Sequence, residues 1–277
     1  MRKIISKYLQ PDHHFAIASH LLGDSRPLAW TNLGFWQGTH DYPVACQQLA
    51  QLVGKAARLA PSDHLLDLGG GQGASLVYWN TAFAIEHMSA FELQPACINA
   101  INKARLPQLD GIYQASFSQL PLPAVHLQQA FDAVVCVDAA YHALLADFLA
   151  VNKAALKNQG RIAFTTLMLS PLWIKASVMQ KKLTLKLLGL ACVPQQHLLN
   201  EMQVVTQLQA SGFTHIKIKH LDQPVLQGFA HYIAHHHPPV RAGQYRDWLK
   251  IRCTAKLCGF LYRQGLVHYS LISAELA

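Results

Sequence analysis

The sequence predicts an α/β fold: a doubly wound, mostly parallel sheet of seven strands, with an N-terminal helical cap and a lid insert between strands five and six. Three observations carry that prediction. From about residue 60 onward, short β-rich runs alternate with helical stretches, the pattern that builds a parallel sheet from strand–helix units. The first run, His64-Leu-Leu-Asp67-Leu, breaks directly into Gly69-Gly-Gly71-Gln-Gly73, a backbone bare enough to turn sharply from strand into helix. Finally, 51% hydrophobic against 14% charged residues in 277 supplies ample apolar material for a buried core.

Taken in order, the first sixty residues form the cap, which includes Trp30-Thr-Asn-Leu-Gly-Phe-Trp36-Gln-Gly38. Strands are expected at His64 to Asp67, Ser89 to Leu93, Gly111 to Ala115, Phe131 to Asp138, Arg161 to Met168, Ile216 to Leu221 and Val267 to Ala274. In the sixth, Ile216, Ile218 and Leu221 interleave with Lys217, Lys219 and His220. One buried face places the last two strands at the edge of the sheet. The insert from Ser170 to about Asn200 follows the C-terminal end of strand five, where open α/β sheets bind ligands. It reads as a lid, with Leu172, Trp173, Ile174, Val178, Met179 and five leucines between 183 and 190 forming an apolar roof edged by Lys175, Lys181, Lys182 and Lys186. The whole chain is one domain: a cap over 1–60, a cofactor-binding core over 61–168, the lid over 169–203 and the rest of the core over 204–277.

A net charge of +8 favours anionic partners. The basic residues are scattered, however, without a Lys/Arg run interleaved with aromatics, so nucleic acid is not expected as a partner. Six cysteines lie far apart with no C-x-x-C pair, which argues for core thiols. The histidine runs Asp12-His13-His14 and His235-His236-His237, the latter one turn after His231, do not assemble a ligand set, and no metal is expected. No apolar leader core follows Met1-Arg-Lys, and no stretch of about eighteen apolar residues occurs, so the expected setting is cytoplasmic.

Two ligands suit the glycine turn. Gly69, Gly71 and Ala74 satisfy G-x-G-x-x-G/A, with Glu92 at the end of strand two for a ribose, as an NAD-dependent oxidoreductase requires. Asp67, two residues before the first glycine, and a further glycine at 73 point elsewhere. A carboxylate beside a phosphate seat repels a pyrophosphate and attracts an ammonium. The ligand then has a cationic amino-acid end and a nucleoside end, which describes S-adenosylmethionine.

Asp67-Leu-Gly69-Gly-Gly71-Gln-Gly73 resembles the first motif of the class I S-adenosylmethionine-dependent methyltransferases, whose fold is Rossmann-like with an antiparallel last strand. Phe91-Glu92-Leu93-Gln94 resembles their second motif, and the resemblance implies that Glu92 accepts hydrogen bonds from both ribose hydroxyls. Ser116-Phe117-Ser118-Gln119-Leu120-Pro121 stands where the family has Asp-Ala-x-x-Leu-Pro against the adenine, with Ser116 replacing the aspartate. Phe131 to His142 resembles the fourth strand and its loop, through Asp138, Tyr141 and His142. Ala210-Ser-Gly-Phe213 and Gly265 to Ala274 resemble the lead into strand six and the final strand. The implied cofactor-binding set is Asp67, Gly69, Gly71, Gly73, Glu92, Leu93, Ser116, Phe117, Asp138 and Trp36.

Asn32-Leu33-Gly34-Phe35-Trp36 further resembles a segment of the branch containing tocopherol, sterol and phosphoethanolamine methyltransferases and cyclopropane fatty acid synthases. There it folds over the methionine half of the cofactor and lines the substrate pocket, which implies a small-molecule acceptor touched by Phe35. The lid adds Trp173 to the pocket and favours a lipophilic or amphipathic acceptor, with transient contact at a membrane surface. A proton-bearing acceptor needs a base, and His142 fits that role beside Tyr141, whose ring attracts a cation. The competing role for His142 is to hold the loop. A catalytically silent cofactor-binding protein is the remaining alternative, and the sequence is equally compatible with a monomer or a homodimer.

Overall fold

The computed structural model describes residues 17–277; Asp12-His13-His14 and the start of the cap lie outside them. The strands are β1 (His64–Leu68), β2 (His87–Glu92), β3 (Leu109–Gln114), β4 (Phe131–Cys136), β5 (Leu156–Leu169), a two-residue β6 (Leu199–Asn200), β7 (Phe213–His220) and β8 (Val267–Leu276). They form one sheet in the order β3-β2-β1-β4-β5-β8-β7, with β6 paired to the end of β5. All seven expected strands are present, and β8 runs antiparallel to both neighbours.

The place of β8 differs from expectation. It lies inside the sheet, between β5 and β7, and of the last two strands only β7 is an edge, β3 being the opposite one. The physical reason is in its two faces: Val267, Tyr269 and Leu271 join one hydrophobic cluster, while Ile272, Ala274 and Leu276 join the other. A strand apolar on both faces belongs in the interior.

Helices cover both faces. On one lie α1 (Tyr42–Ala56), α2 (Ala74–Phe83) and α3 (Pro95–Ala104), and on the other α4 (Leu145–Ala155) and α7 (Glu201–Ala210). The insert holds α5 (Leu172–Lys175) and α6 (Val178–Leu190). Asp41 caps α1 by accepting from the Val44 amide, and Ser177 with Gln180 forms a capping box on α6.

A second helical insert, of which the sequence pointed only to a helical stretch ahead of His235, separates β7 from β8. It consists of a π-helical turn, Gln223–Gln227, then α8 (Gly228–His235) and α9 (Tyr245–Gln264). This insert holds the cap. The Trp36 ring stacks on Tyr232 with centroids 4.3 Å apart, and a Cβ on Gly228 would lie 2.5 Å from Trp36 Cβ. Tyr232 Oη donates to the Leu22 carbonyl, and His236 Nε2 meets the Leu21 carbonyl at 2.8 Å.

Candidate active site

Side chains alternate along β1, so Leu65 and Asp67 share a face while Leu66 and Leu68 take the other. The Asp67 face is covered by α2, from which Ser75 Oγ and Trp79 Nε1 both donate to Asp67 Oδ2, at 2.7 and 2.8 Å. Burial pushes this carboxyl up to about 6; its two donors pull it down, and the Glu92 charge adds to the rise.

After β1 the chain turns through Gly69, Gly71 and Gly73, at φ of +79°, +54° and +91°. A Cβ on Gly71 would stand 2.5 Å from Thr31 Oγ1, one on Gly69 3.1 Å from Ala139 Cβ, and one on Gly73 2.7 Å from Ile101 Cγ1. The turn is therefore closed over by the cap through Thr31. Glu92, at the end of β2, accepts from the Gly71 amide through Oε2 and from the Leu93 and Gln94 amides through Oε1. Burial raises its pKa against the pull of these amides. Asp67 and Glu92 are thus two buried carboxyls close enough to feel each other, held by neutral donors.

Leu93 is exposed, and Phe117 stands edge-on to Phe148 and close to Gly69. Ser116 Oγ sits 2.8 Å from Ser118 Oγ and accepts from the Ser118 amide. Of these, Phe117 reaches the glycine turn, within 3.5 Å of a Cβ built on Gly69.

Asp138 is a joint between distant segments. It follows β4 at φ +59°, a left-handed conformation that aspartate tolerates better than most residues. Its Oδ2 accepts from the Leu33 amide, and its Oδ1 from the hydroxyls of Tyr141 and Tyr269. Its amide donates to Thr165 Oγ1. Both carboxylate oxygens are engaged within the chain, and burial pushes the group up to about 6. Tyr269 carries no signal that sequence reasoning used, being an aromatic in an apolar strand.

Tyr141 and His142 form a 3₁₀ turn that is laced to the insert from both sides. His142 Nδ1 donates to the Cys192 carbonyl at 3.1 Å, and His197 Nδ1 donates to the Tyr141 carbonyl at 3.1 Å. Because a carbonyl only accepts, His142 carries its proton on Nδ1 and Nε2 is the basic nitrogen. Burial lowers its pKa and keeps it neutral.

Trp36 is directed away from the glycine turn: its ring lies on Tyr232, its Nε1 donates to the Leu33 carbonyl and its amide to the Pro224 carbonyl. Thr31 and Leu28 are the cap residues against the glycines. The Phe35 amide donates to the Ala45 carbonyl, and its side chain packs on the core. Trp173 is half-buried with Lys181 Nζ 5.9 Å from its ring centre. Contrary to the expected apolar roof, most of the insert's aliphatic side chains face solvent. Thr184 and Leu188 are buried, whereas Ile174, Val178, Met179, Leu183 and Leu190 are exposed.

A cavity of about 50 Å³ lies beside Thr31, bounded by the cap, Tyr42, Phe229 and the α9 residues Asp247, Lys250, Ile251 and Thr254. Among the described residues no cluster of histidine, cysteine or carboxylate side chains has the arrangement of a metal site.

Residues 66–164 match the methyltransferase domain family. Erythromycin 3''-O-methyltransferase of Saccharopolyspora erythraea is 24% identical over 236 residues, 81% of this chain and 76% of its own length. A cyclopropane synthase of Mycobacterium tuberculosis superposes with a TM-score of 0.75 at 17% identity, over 95% of this chain and 96% of that one. The geranyl diphosphate C-methyltransferase of Streptomyces coelicolor A3(2) does so with a TM-score of 0.69 at 16% identity, over 97% and 99%. Sheet order, domain match and superpositions agree: the chain has the class I methyltransferase fold and carries a methyltransferase domain over residues 66–164.

Proposed function

We propose that this chain transfers a methyl group to a lipophilic or amphipathic small molecule, with the cofactor seated where β1, β2 and β4 end. The observation that carries the reading is the pair of buried carboxyls, Asp67 and Glu92, both raised in pKa and both held by neutral donors alone among their hydrogen bonds. Such a site lacks positive charge. A cationic amino-acid group completes it, whereas a pyrophosphate adds further negative charge.

When bound, the cofactor supplies an activated methyl group on a sulfonium, and transfer depends on positioning and desolvation. Asp67 holds the ammonium end, Glu92 the ribose hydroxyls, and Leu93 and Phe117 border the adenine beside Ser116. The bare turn at Gly69, Gly71 and Gly73 lets the backbone approach. Asp138 acts through the cap, fixing Leu33 and hence the stretch from Thr31 to Trp36 over the site. Phe35 and Trp173 serve the acceptor; the cavity beside Thr31, lined by Leu33, Tyr42, Phe229 and Ile251, is a separate apolar space under the cap. His142 removes the acceptor's proton at Nε2, with Nδ1 committed to Cys192. The Tyr141 hydroxyl is committed to Asp138, so Tyr141 contributes its ring and its position.

Calorimetry with S-adenosylhomocysteine and, separately, NAD tests the cofactor site. Wild type is expected to bind only the former. Glu92→Gln should weaken it by about 1 to 3 kcal/mol, the worth of charge-assisted hydrogen bonds. Binding of NAD alone would overturn the reading.

A further inference from the structure

The insert presents a surface that the methyl-transfer site does not use. Leu172, Ile174, Val178, Met179, Leu183 and Leu190 are exposed, at 54, 82, 68, 80, 45 and 76%. A helix of this length normally turns its large aliphatic side chains inward. Here α6 buries Thr184 and Leu188 and leaves Met179, Leu183 and Leu190 on the outer side, at spacings of four and seven residues that place them along one stripe. Leu172 and Ile174 of α5 extend the apolar area, since α5 and α6 are joined by only two residues.

The charge on this surface has one sign. Lys175, Lys182 and Lys186 are exposed, and Lys181 stands over Trp173. No aspartate or glutamate occurs from residue 148 to 200. The end of α9 lies alongside, through Gln180 Nε2 to Gln264 Oε1 at 3.4 Å, and adds exposed Arg263.

We propose that the insert, Leu172 to Leu190, docks on an anionic lipid bilayer surface, its aliphatic stripe among the acyl chains and its lysines on the lipid phosphates. Aliphatic side chains ringed by lysine are the chemistry of a helix that lies in a membrane interface. No helix of the described residues is long and apolar enough to cross a membrane, so the contact is with the surface. A second copy of the chain would bring like charges face to face. Nucleic acid would meet aliphatic side chains where it needs aromatic platforms. The proposal rests on the reading of a lipophilic acceptor for its purpose, because a docked insert would deliver such a molecule next to the loop that holds His142.

The test is flotation of the purified chain with vesicles of phosphatidylcholine alone or with phosphatidylglycerol at 30 mol %, with S-adenosylhomocysteine calorimetry run in parallel. Binding is expected only to the anionic vesicles, and it should weaken at least tenfold in 0.5 M salt. Ile174→Glu/Met179→Glu and, separately, Lys182→Glu/Lys186→Glu should each lower the partition coefficient at least tenfold while cofactor affinity stays at the wild-type value. Absence of vesicle binding, equal binding to both vesicle types, or binding indifferent to both variants would overturn the proposal. So would self-association by light scattering that Ile174→Glu/Met179→Glu abolishes, which would make a second copy the occupant. Vesicle binding and cofactor binding are read separately, so failure of one leaves the other standing.

Discussion

Gly71 shows how a single position serves the fold and the ligand together. Its φ of +54° and the 2.5 Å approach of Thr31 Oγ1 to a built Cβ mean that any side chain there disturbs the cap before a ligand arrives. Gly71→Val is therefore expected to lose about 1 to 3 kcal/mol of stability in addition to its affinity for S-adenosylhomocysteine. Gly71→Ala in a Thr31→Ala background should recover part of the stability and none of the affinity, as read by urea unfolding and calorimetry. If affinity returned along with stability, the bare turn would serve only the cap. At this scale Asp67 and Glu92 were legible because a carboxylate at the end of a buried strand has few structural uses. Thr31 and Tyr269 were not, because what matters in each is its approach to a residue far away in sequence, and threonine and tyrosine are common in caps and strands.

Among elements, the loop after β4 and the insert form a unit. His142 and His197 each donate to a carbonyl across the gap, so replacing His142 alters both a candidate base and a tether. The two roles separate in the pH profile. His142→Gln keeps a donor for the Cys192 carbonyl and loses the base, so kcat should fall by roughly 10²- to 10⁴-fold with cofactor affinity nearly unchanged. The wild-type acid limb should lie below the ordinary histidine value, because burial lowers the His142 pKa. A variant with full turnover and the same acid limb would reduce His142 to the tether. The seven principal strands were readable from apolar runs between turn residues. Of the second insert only the helical stretch around His231 was readable; α9 was not, because three consecutive histidines, Pro238 and Pro239 interrupt the stretch ahead of it and mask the helical period. The interior place of β8 was hidden because the edge pattern belongs to β7 alone, and the sequence does not say which neighbour shares it.

For the whole molecule, Asp138 couples stability to pH. Its folded pKa of about 6 lies above the ordinary 3.8, so as pH falls the folded state takes up this proton before the unfolded state does. The cost of the buried charge is therefore present above about pH 6 and relieved between 6 and 4. An asparagine in its place has no proton to take up and cannot gain in this way. The stability of wild type relative to Asp138→Asn should accordingly rise by about 1 kcal/mol from pH 7 to pH 5, measured by urea unfolding at both. A gap that does not change would mean that the carboxylate stays ionised throughout. The same residue sets an order of events. Leu33 is anchored to Asp138, and Asp138 also receives the hydroxyl of Tyr269 on the last strand. A chain emerging from the ribosome has its cap long before it has that strand, so the roof of the site acquires its full set of fastenings only after the last strand of the sheet has emerged. Until then the carboxylate that anchors the roof lacks one of its hydroxyl partners, and the cap is held to the sheet by a weaker joint.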